Sequence, residues 1–435
     1  MVSPVMSVPR YGVNTLSDLL PAVLGAVTGD GSPTTLGLAG VRRVCVLLVD
    51  GLGAQQLAAR AEHAPMLSSM TGETWTSTFP STTATSLASL GTGRPPGQHG
   101  IVGYLTAVEG YDRPMNPLHW RLHGQAGGRS TKDGQAGGRS TKDGQAGGRS
   151  TKDGQAGGRS TKDGQAGGGG SSPKGSSPKG SSDLLTTLVP EEFQPHPTVF
   201  EQATAAGIVV SRVAPSYQRE SGLTRAVLRG GDFAASVSAG DLVARTVSAL
   251  SRGDRSLVYS YWSELDLTGH VRGPSSDAWS FELRQVDSIV EAVAARLPAD
   301  AALVVTADHG MVDVADRVDV DTTPTLSQDV TMIAGEPRAR HVFARPGAAS
   351  DVAERWRETL GEDYLVIGRD DAIDRGWFGP VRPAVARTIG DVLALALGSG
   401  AVVRSGAEPN QFALLGHHGS LTDAETRVPL LIARS

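Results

Sequence analysis

Apolar residues fall along this chain in two rhythms. Val41-Arg-Arg-Val-Cys-Val-Leu-Leu-Val-Asp50, Ser256–Trp262 and Ala301–Thr306 are short, nearly unbroken runs rich in Val and Leu, the pattern of parallel strands buried on both faces. Between the last two, Trp279, Leu283, Val286, Val290, Val293 and Leu297 recur at three- and four-residue steps, the stripe of a helix lying on a sheet. Strand, helix, strand in that order implies a right-handed crossover and a parallel sheet. The alternation predicts further elements: a helix over Thr198–Ala206, strands over Ile208–Val213 and Thr224–Leu228, a helix over Asp241–Ser251, and a return to the main sheet at Val428–Ile432. The fold class is therefore α/β, a doubly wound and mostly parallel sheet. Between Met311 and Gln411 the rhythm changes. Strand-like Val342–Ala344, helix-like Asp351–Leu360 and strand-like Tyr364–Ile367 predict a small α/β cap insertion, bounded here as residues 317–380.

Thr76-Ser-Thr-Phe-Pro-Ser-Thr-Thr83 is the point where a β-type run ending at Phe79 meets a small-residue segment that extends to Leu90. It predicts a strand turning into a helix with Pro80 in its first turn. The Thr78 hydroxyl would then sit at a helix N-terminus, where unpaired N–H groups favour a phosphate-like anion, and a hydroxyl of lowered pKa there is a nucleophile. Ser and Thr at helix starts ordinarily serve as caps, so the chemistry depends on partners elsewhere. Gly91–Tyr104 follows as a loop by its Gly and Pro content.

Composition interrupts this picture in one place. Gly124–Asp163 is four copies of Gly-Gln-Ala-Gly-Gly-Arg-Ser-Thr-Lys-Asp, and Gly-Ser-Ser-Pro-Lys repeats continue to Ser182. One small apolar residue per copy buries almost nothing on stacking, so 124–182 is predicted to be a disordered linker. Residues 1–123 and 183–435 then form one catalytic domain. The linker carries a net +6 and the remainder −11, which argues against nucleic acid as a partner. No apolar run approaches the span of a bilayer, and the N-terminal residues lack a basic head followed by an apolar core. A cytoplasmic protein without membrane attachment is expected. Cys45 is the single cysteine, which excludes an intramolecular disulfide and a Cys-type zinc site; it is expected in the core.

Four separated segments bring metal-competent groups to the ends of apolar strands or their following loops: Asp50, Asp266 with His270, Asp308 with His309, and His417-His418. In open α/β sheets, ligands gather where the strands end. Mixed carboxylate and imidazole ligands suit zinc or another divalent first-row ion, and there are enough of them for two ions. Two ions can serve an in-line displacement at phosphorus.

Val49-Asp50-Gly51, Thr78-Phe79-Pro80, His99-Gly-Ile101, Asp266-x-x-x-His270, Asp308-His309-Gly-Met311 and His417-His418-Gly419, in this order, resemble the alkaline phosphatase superfamily, and within it the nucleotide pyrophosphatase/phosphodiesterase group. The resemblance implies two zinc ions. One would be held by Asp50, Asp308 and His309 with Thr78 as nucleophile, the other by Asp266, His270 and His418, whose following Gly matches the family pattern. It further implies attack by the Thr78 hydroxyl, a covalent phospho-threonine, and hydrolysis of that intermediate. Phe79 resembles the family residue that stacks on a nucleobase. Tyr104 stands where the family commonly has an Asn that donates to a phosphoryl oxygen, which puts nucleotide preference in question. The implied substrate is a small phosphorylated molecule, a nucleotide among the candidates. A phosphomonoesterase or phosphonate hydrolase shares every ligand, and a non-catalytic metal-binding protein is the alternative from another class. No Cys-x-Pro-x-Arg stands at Thr78, which disfavours a sulfatase.

Overall fold

A computed structural model of the chain describes residues 6–29, 36–124 and 183–435. Apart from Gly124, the expectation for the repeat segment 124–182 falls outside them. The strands of the two large sheets are, in chain order, β1 (Arg43–Val49), β2 (Thr71–Thr76), β3 (Val209–Pro215), β4 (Asp232–Ser236), β5 (Ser256–Trp262), β6 (Ala301–Thr306), β7 (Val330–Glu336), β8 (Ala339–Ala344), β9 (Tyr364–Gly368), β10 (Val392–Ala396) and β11 (Arg427–Arg434). Seven form the central sheet, in the order β2-β11-β6-β1-β5-β3-β4. β1 lies in its middle, parallel to both β5 and β6, and β3 is parallel to β4 and β5. Only β11 runs against its neighbours, β2 and β6. Every residue from Val44 to Val49 and from Ala301 to Thr306 is buried, Cys45 included, as two-sided coverage by helices requires.

The helices that bear on the site or the core are α1 (Thr83–Thr92), α2 (Gly222–Val227), α3 (Ala239–Leu250), α4 (Glu264–Arg272), α5 (Asp277–Ala294) and α6 (Ala349–Leu360). The predicted stripe of α5 is buried from Trp279 to Val293. Two expectations are corrected. Thr224–Leu228 is not a strand: Ser221 caps a helix there by accepting from the Thr224 N–H at 3.2 Å, and an apolar run this short carries no period that separates strand from helix. Pro80 is not in the first turn of α1, which starts three residues later, behind an extended Thr82 (φ −136°, ψ 146°) as its N-cap. That shift decides which threonine faces the site.

The second sheet, β7-β8-β10-β9, is antiparallel throughout. Its strand β10 comes from beyond residue 380, and α6 covers it with buried Val352, Trp356 and Leu360. Two buried ion pairs fasten this sheet to loops of the main body. Arg338 makes a two-pronged contact to Glu425 at 2.9 and 2.7 Å, both side chains fully buried, and Arg340 pairs with Glu408 at 2.7 Å. Glu425 also accepts from the Ser420 N–H at 3.0 Å, two residues after His418. Arg338→Met would leave that carboxylate buried and unpaired, and urea unfolding is expected to show a loss of about 3–5 kcal/mol. The double variant Arg338→Met with Glu425→Gln should recover part of it; an unchanged midpoint in the single variant would contradict this account.

Candidate metal centre

The C-terminal ends of β1, β5 and β6 converge, and each delivers acidic or basic side chains. Asp50 follows β1 directly. Gly51 comes next with φ +75°, and a Cβ there would lie 3.0 Å from Asp266, so glycine lets the turn after Asp50 approach α4 closely. Beyond β5, Ser263 stands at the N-cap of α4, which sets Asp266 and His270 one turn apart on one face, with His270 Nε2 3.3 Å from Asp266 Oδ2. Asp308 and His309 follow β6. His309 Nε2 is 3.4 Å from Asp50 Oδ1 and 3.5 Å from Asp308 Oδ2. His418 comes from the loop before β11, its ring stacked on that of His309 at 3.5 Å and its Nε2 4.0 Å from Asp266 Oδ1.

Hydrogen bonds fix the imidazole tautomers. His270 Nδ1 faces the carbonyl of Gly416 at 2.8 Å, His309 Nδ1 that of Gly310 at 3.0 Å, and His418 Nδ1 that of Ser81 at 2.8 Å. A carbonyl only accepts, so each Nδ1 carries the proton and each Nε2 offers a lone pair to the carboxylate cluster. Asp50 Oδ1, Asp266 Oδ1 and Asp308 Oδ2 are buried without a hydrogen-bond partner. Ligand atoms of Asp50, Asp308 and His309, and those of Asp266, His309 and His418, lie within 4.8 Å of one another in each group. Lone pairs turned inward and orphaned carboxylate oxygens are the donor set a divalent cation fits.

Electrostatics supports the same reading. Burial, then the charge of Asp308, raises the Asp50 pKa well above the ordinary carboxylate range, and burial does the same to Asp308. Burial pushes Asp266 up to about 7 and holds His309 down to about 3. Three carboxylates crowded in low dielectric resist ionising unless a cation joins them. The sign for stability follows. Asp266 at about 7 and Glu336 at about 8 lie above their unfolded values, so what they contribute is complete in acid and lost as pH rises through those values. His309 acts oppositely, losing its contribution as pH falls from the unfolded imidazole value toward about 3. Above neutrality only the carboxylate effect operates. Chelator-treated protein is therefore expected to melt at lower temperature at about pH 8.5 than at about pH 6.5, and saturating divalent metal should remove the share that Asp266 contributes while leaving that of Glu336, which lies outside both ligand groups; a flat apo profile would argue against buried neutral carboxyls.

The sequence-based site is brought together in most of its members. Asp50, Asp266, His270, Asp308, His309 and His418 converge, while His417 occupies the short strand Gly416–His417, its ring 6.0 Å from that of His270 and outside both ligand groups. Thr78 is corrected. It is fully buried, and its Oγ1 donates to the Pro80 carbonyl at 3.3 Å and meets Ser86 Oγ at 3.1 Å. Thr83, first residue of α1 and only partly buried, instead places Oγ1 3.1 Å from His309 Nε2 and in hydrogen-bonding range of the Asp50 carboxylate. Phe79 is fully buried, edge-on to Trp377 and Phe378 at 5.1 and 5.2 Å between ring centres. The Tyr104 phenol turns to Gln411 and Asn116 beside the Arg340–Glu408 pair, and its N–H donates to Glu336 Oε2 at 2.8 Å. Tyr261, not singled out from sequence, donates from its hydroxyl to Asp50 Oδ2, and Ser77 Oγ donates to the Asp308 carbonyl. The alternation of β5 would have placed Tyr261 on the face of Asp50.

A mostly parallel sheet with carboxylates and imidazoles gathered at its strand ends is the arrangement of the alkaline phosphatase superfamily. Residues 44–123 and 173–421 match the model of the type I phosphodiesterase / nucleotide pyrophosphatase family, and the chain belongs to that family. Among solved structures it is similar to murine ectonucleotide pyrophosphatase / phosphodiesterase 5 at 16% identity and TM-score 0.59, over 89% of this chain and 87% of that one. The human counterpart gives 16% and 0.59 over 90% and 88%. Phosphonoacetate hydrolase from Sinorhizobium meliloti 1021, in complex with phosphonoformate, gives 18% and 0.58 over 91% and 90%. These likenesses show the fold. No curated protein sequence matches the chain. Among the described residues, no helix is long and apolar enough to cross a membrane.

Proposed function

We propose that this chain hydrolyses phosphodiester or nucleotide pyrophosphate bonds through a phospho-threonine on Thr83, with two divalent ions, zinc by its ligand preferences, held by Asp50, Asp308 and His309 and by Asp266, His270 and His418. The observation that carries the reading is the Thr83 hydroxyl, 3.1 Å from His309 Nε2 at the N-terminus of a ten-residue helix. When bound, the ions supply positive charge at the attacking and leaving oxygens. The chain's own residues do the rest. Thr82, as N-cap, leaves the first amides of α1 free to receive phosphoryl oxygens. Thr83 Oγ1 gives its proton to solvent and forms a bond to phosphorus as the ester oxygen departs, and water then cleaves that bond. Tyr261 and Ser77 hold Asp50 and Asp308 in place through their hydroxyls.

The likeness to murine ectonucleotide pyrophosphatase / phosphodiesterase 5, whose inactive variant is described in complex with AMP, favours a nucleotide substrate. The equal likeness to phosphonoacetate hydrolase favours a phosphonate as the second reading. Zinc-loaded protein given bis(p-nitrophenyl) phosphate, p-nitrophenyl phosphate and phosphonoacetate separates these. The diester is expected to turn over with the highest kcat/KM; a preference for the monoester or the phosphonate would replace the diesterase assignment, and turnover of none would favour a binding protein.

A further inference from the structure

The face of the central sheet that presents Tyr261 to Asp50 holds a second polar group that the chemistry above leaves unused. Arg212 on β3 is 9% exposed, and its Nε and Nη1 have no hydrogen-bond partner. Glu220 and Asp232 are close enough to act on its charge, yet neither accepts from those two nitrogens. Its register partner on β5 is Tyr259, whose hydroxyl is also buried and unpartnered. Parallel register puts both side chains on one face, and the period of two puts Tyr259, Tyr261 and then Asp50 along that same face. The guanidinium carbons of Arg212 and Arg219 lie 5.6 and 4.9 Å from the ring centre of Phe233, so two cations share one aromatic ring. Tyr217 is 58% exposed and near enough to both Tyr259 and Tyr261 to act on their hydroxyls.

A guanidinium that only braced the fold would be paired, because burying its N–H groups without acceptors is unfavourable. Two free donors of Arg212 and the Tyr259 hydroxyl instead form a cradle for an oxyanion. β3 is two strands from β1, and the Arg212 row lies four residues short of Asp50. Ordinary strand spacing then separates the two Cα atoms by on the order of 16 Å, a span that an arginine side chain and the body of a small substrate together can bridge. We infer that Arg212, with the Tyr259 hydroxyl, binds a carboxylate or phosphate group on the part of the substrate that is not cleaved. The inference rests on the hydrolase reading only for where the reacting phosphoryl group sits.

The test is calorimetric and needs no turnover. Zinc-loaded protein is titrated with straight-chain ω-phosphonocarboxylates of increasing length, each beside the alkylphosphonate that lacks the carboxylate. At one chain length the carboxylate is expected to tighten binding by roughly tenfold or more. Arg212→Leu should lose that gain while binding the alkylphosphonates as before, and Arg212→Lys, a point charge without the fork, should keep part of it. Tyr259→Phe should weaken the gain without abolishing it. Removing an unpaired buried charge should leave the melting temperature of Arg212→Leu level or higher; a marked fall would identify a structural arginine and overturn the inference. So would equal binding with and without the carboxylate at every length, or a gain that survives in Arg212→Leu. A carboxylate gain in a protein that cleaves no ester would sink the hydrolase reading and keep this one.

Discussion

Thr83→Ala is expected to reduce turnover of bis(p-nitrophenyl) phosphate by on the order of 10⁴-fold with metal content unchanged, whereas Thr78→Ala should stay within about tenfold of the parent. The two threonines differ in what surrounds their oxygens. Thr78 Oγ1 is occupied by the Pro80 carbonyl and Ser86 Oγ and has no exposure. Thr83 Oγ1 faces His309 and Asp50 from the first turn of α1, where free amides point outward. A nucleophile needs a route to phosphorus and, to stabilise its alkoxide, a place beside groups that would hold a cation; of the two threonines only Thr83 has both. The effect of Thr78→Ala should be mainly on stability, since it loosens a hydroxyl chain that runs through Ser86 to Ser77 and the Asp308 carbonyl. Steady-state kinetics with metal analysis on both variants decides between them. A dead Thr78→Ala beside an active Thr83→Ala would return the nucleophile to the position favoured by the Thr-Phe-Pro pattern.

That contrast shows where local pattern stops. β5 and β6 were legible to the residue because strands covered on both faces have no room for polar side chains, so their ends coincide with the ends of the apolar runs. The metal-competent residues were legible for a related reason: a carboxylate or imidazole directly after such a run can only lie at the sheet's edge. The threonine was not, because its place depends on where α1 begins, and Ser81, Thr82 and Thr83 all qualify as N-caps. The extended backbone of Thr82 makes Thr83 the first residue of α1, and the sequence signal for that start was the small-residue run behind it rather than the proline. The packing of Phe79 on Trp377 and Phe378, and of Tyr104 on Gln411, was not legible because those partners are hundreds of residues away, and no local period encodes such contacts. Arg338 and Arg340 were invisible likewise, since nothing in a turn or an alternating strand marks an arginine as buried until Glu425 and Glu408 arrive from the far end of the chain.

Withdrawing divalent metal should abolish activity, and the ligand variants Asp50→Asn and Asp266→Asn should do so one ion at a time. Asparagine keeps the shape of the side chain and removes its charge, so each substitution weakens one ligand group and leaves the other its full set. Asp50 belongs to the group with Asp308 and His309, Asp266 to that with His309 and His418. Elemental analysis of the parent is expected to give two equivalents per chain, and each variant one. Charge stabilisation by a bound ion is worth several kcal/mol in the transition state, so each variant should lose roughly 10³-fold or more in kcat/KM. The two centres are not independent, because His309 lies within reach of both sets and its ring stacks on His418 at 3.5 Å. Loading one ion should therefore change the affinity of the other, since it neutralises the Asp50 charge that, after burial, opposes ionisation of Asp266, and it competes for His309. If Asp50→Asn and Asp266→Asn each retained both equivalents, or if the parent bound a single one, the paired-ion centre would give way to a mononuclear site with His309 at its middle.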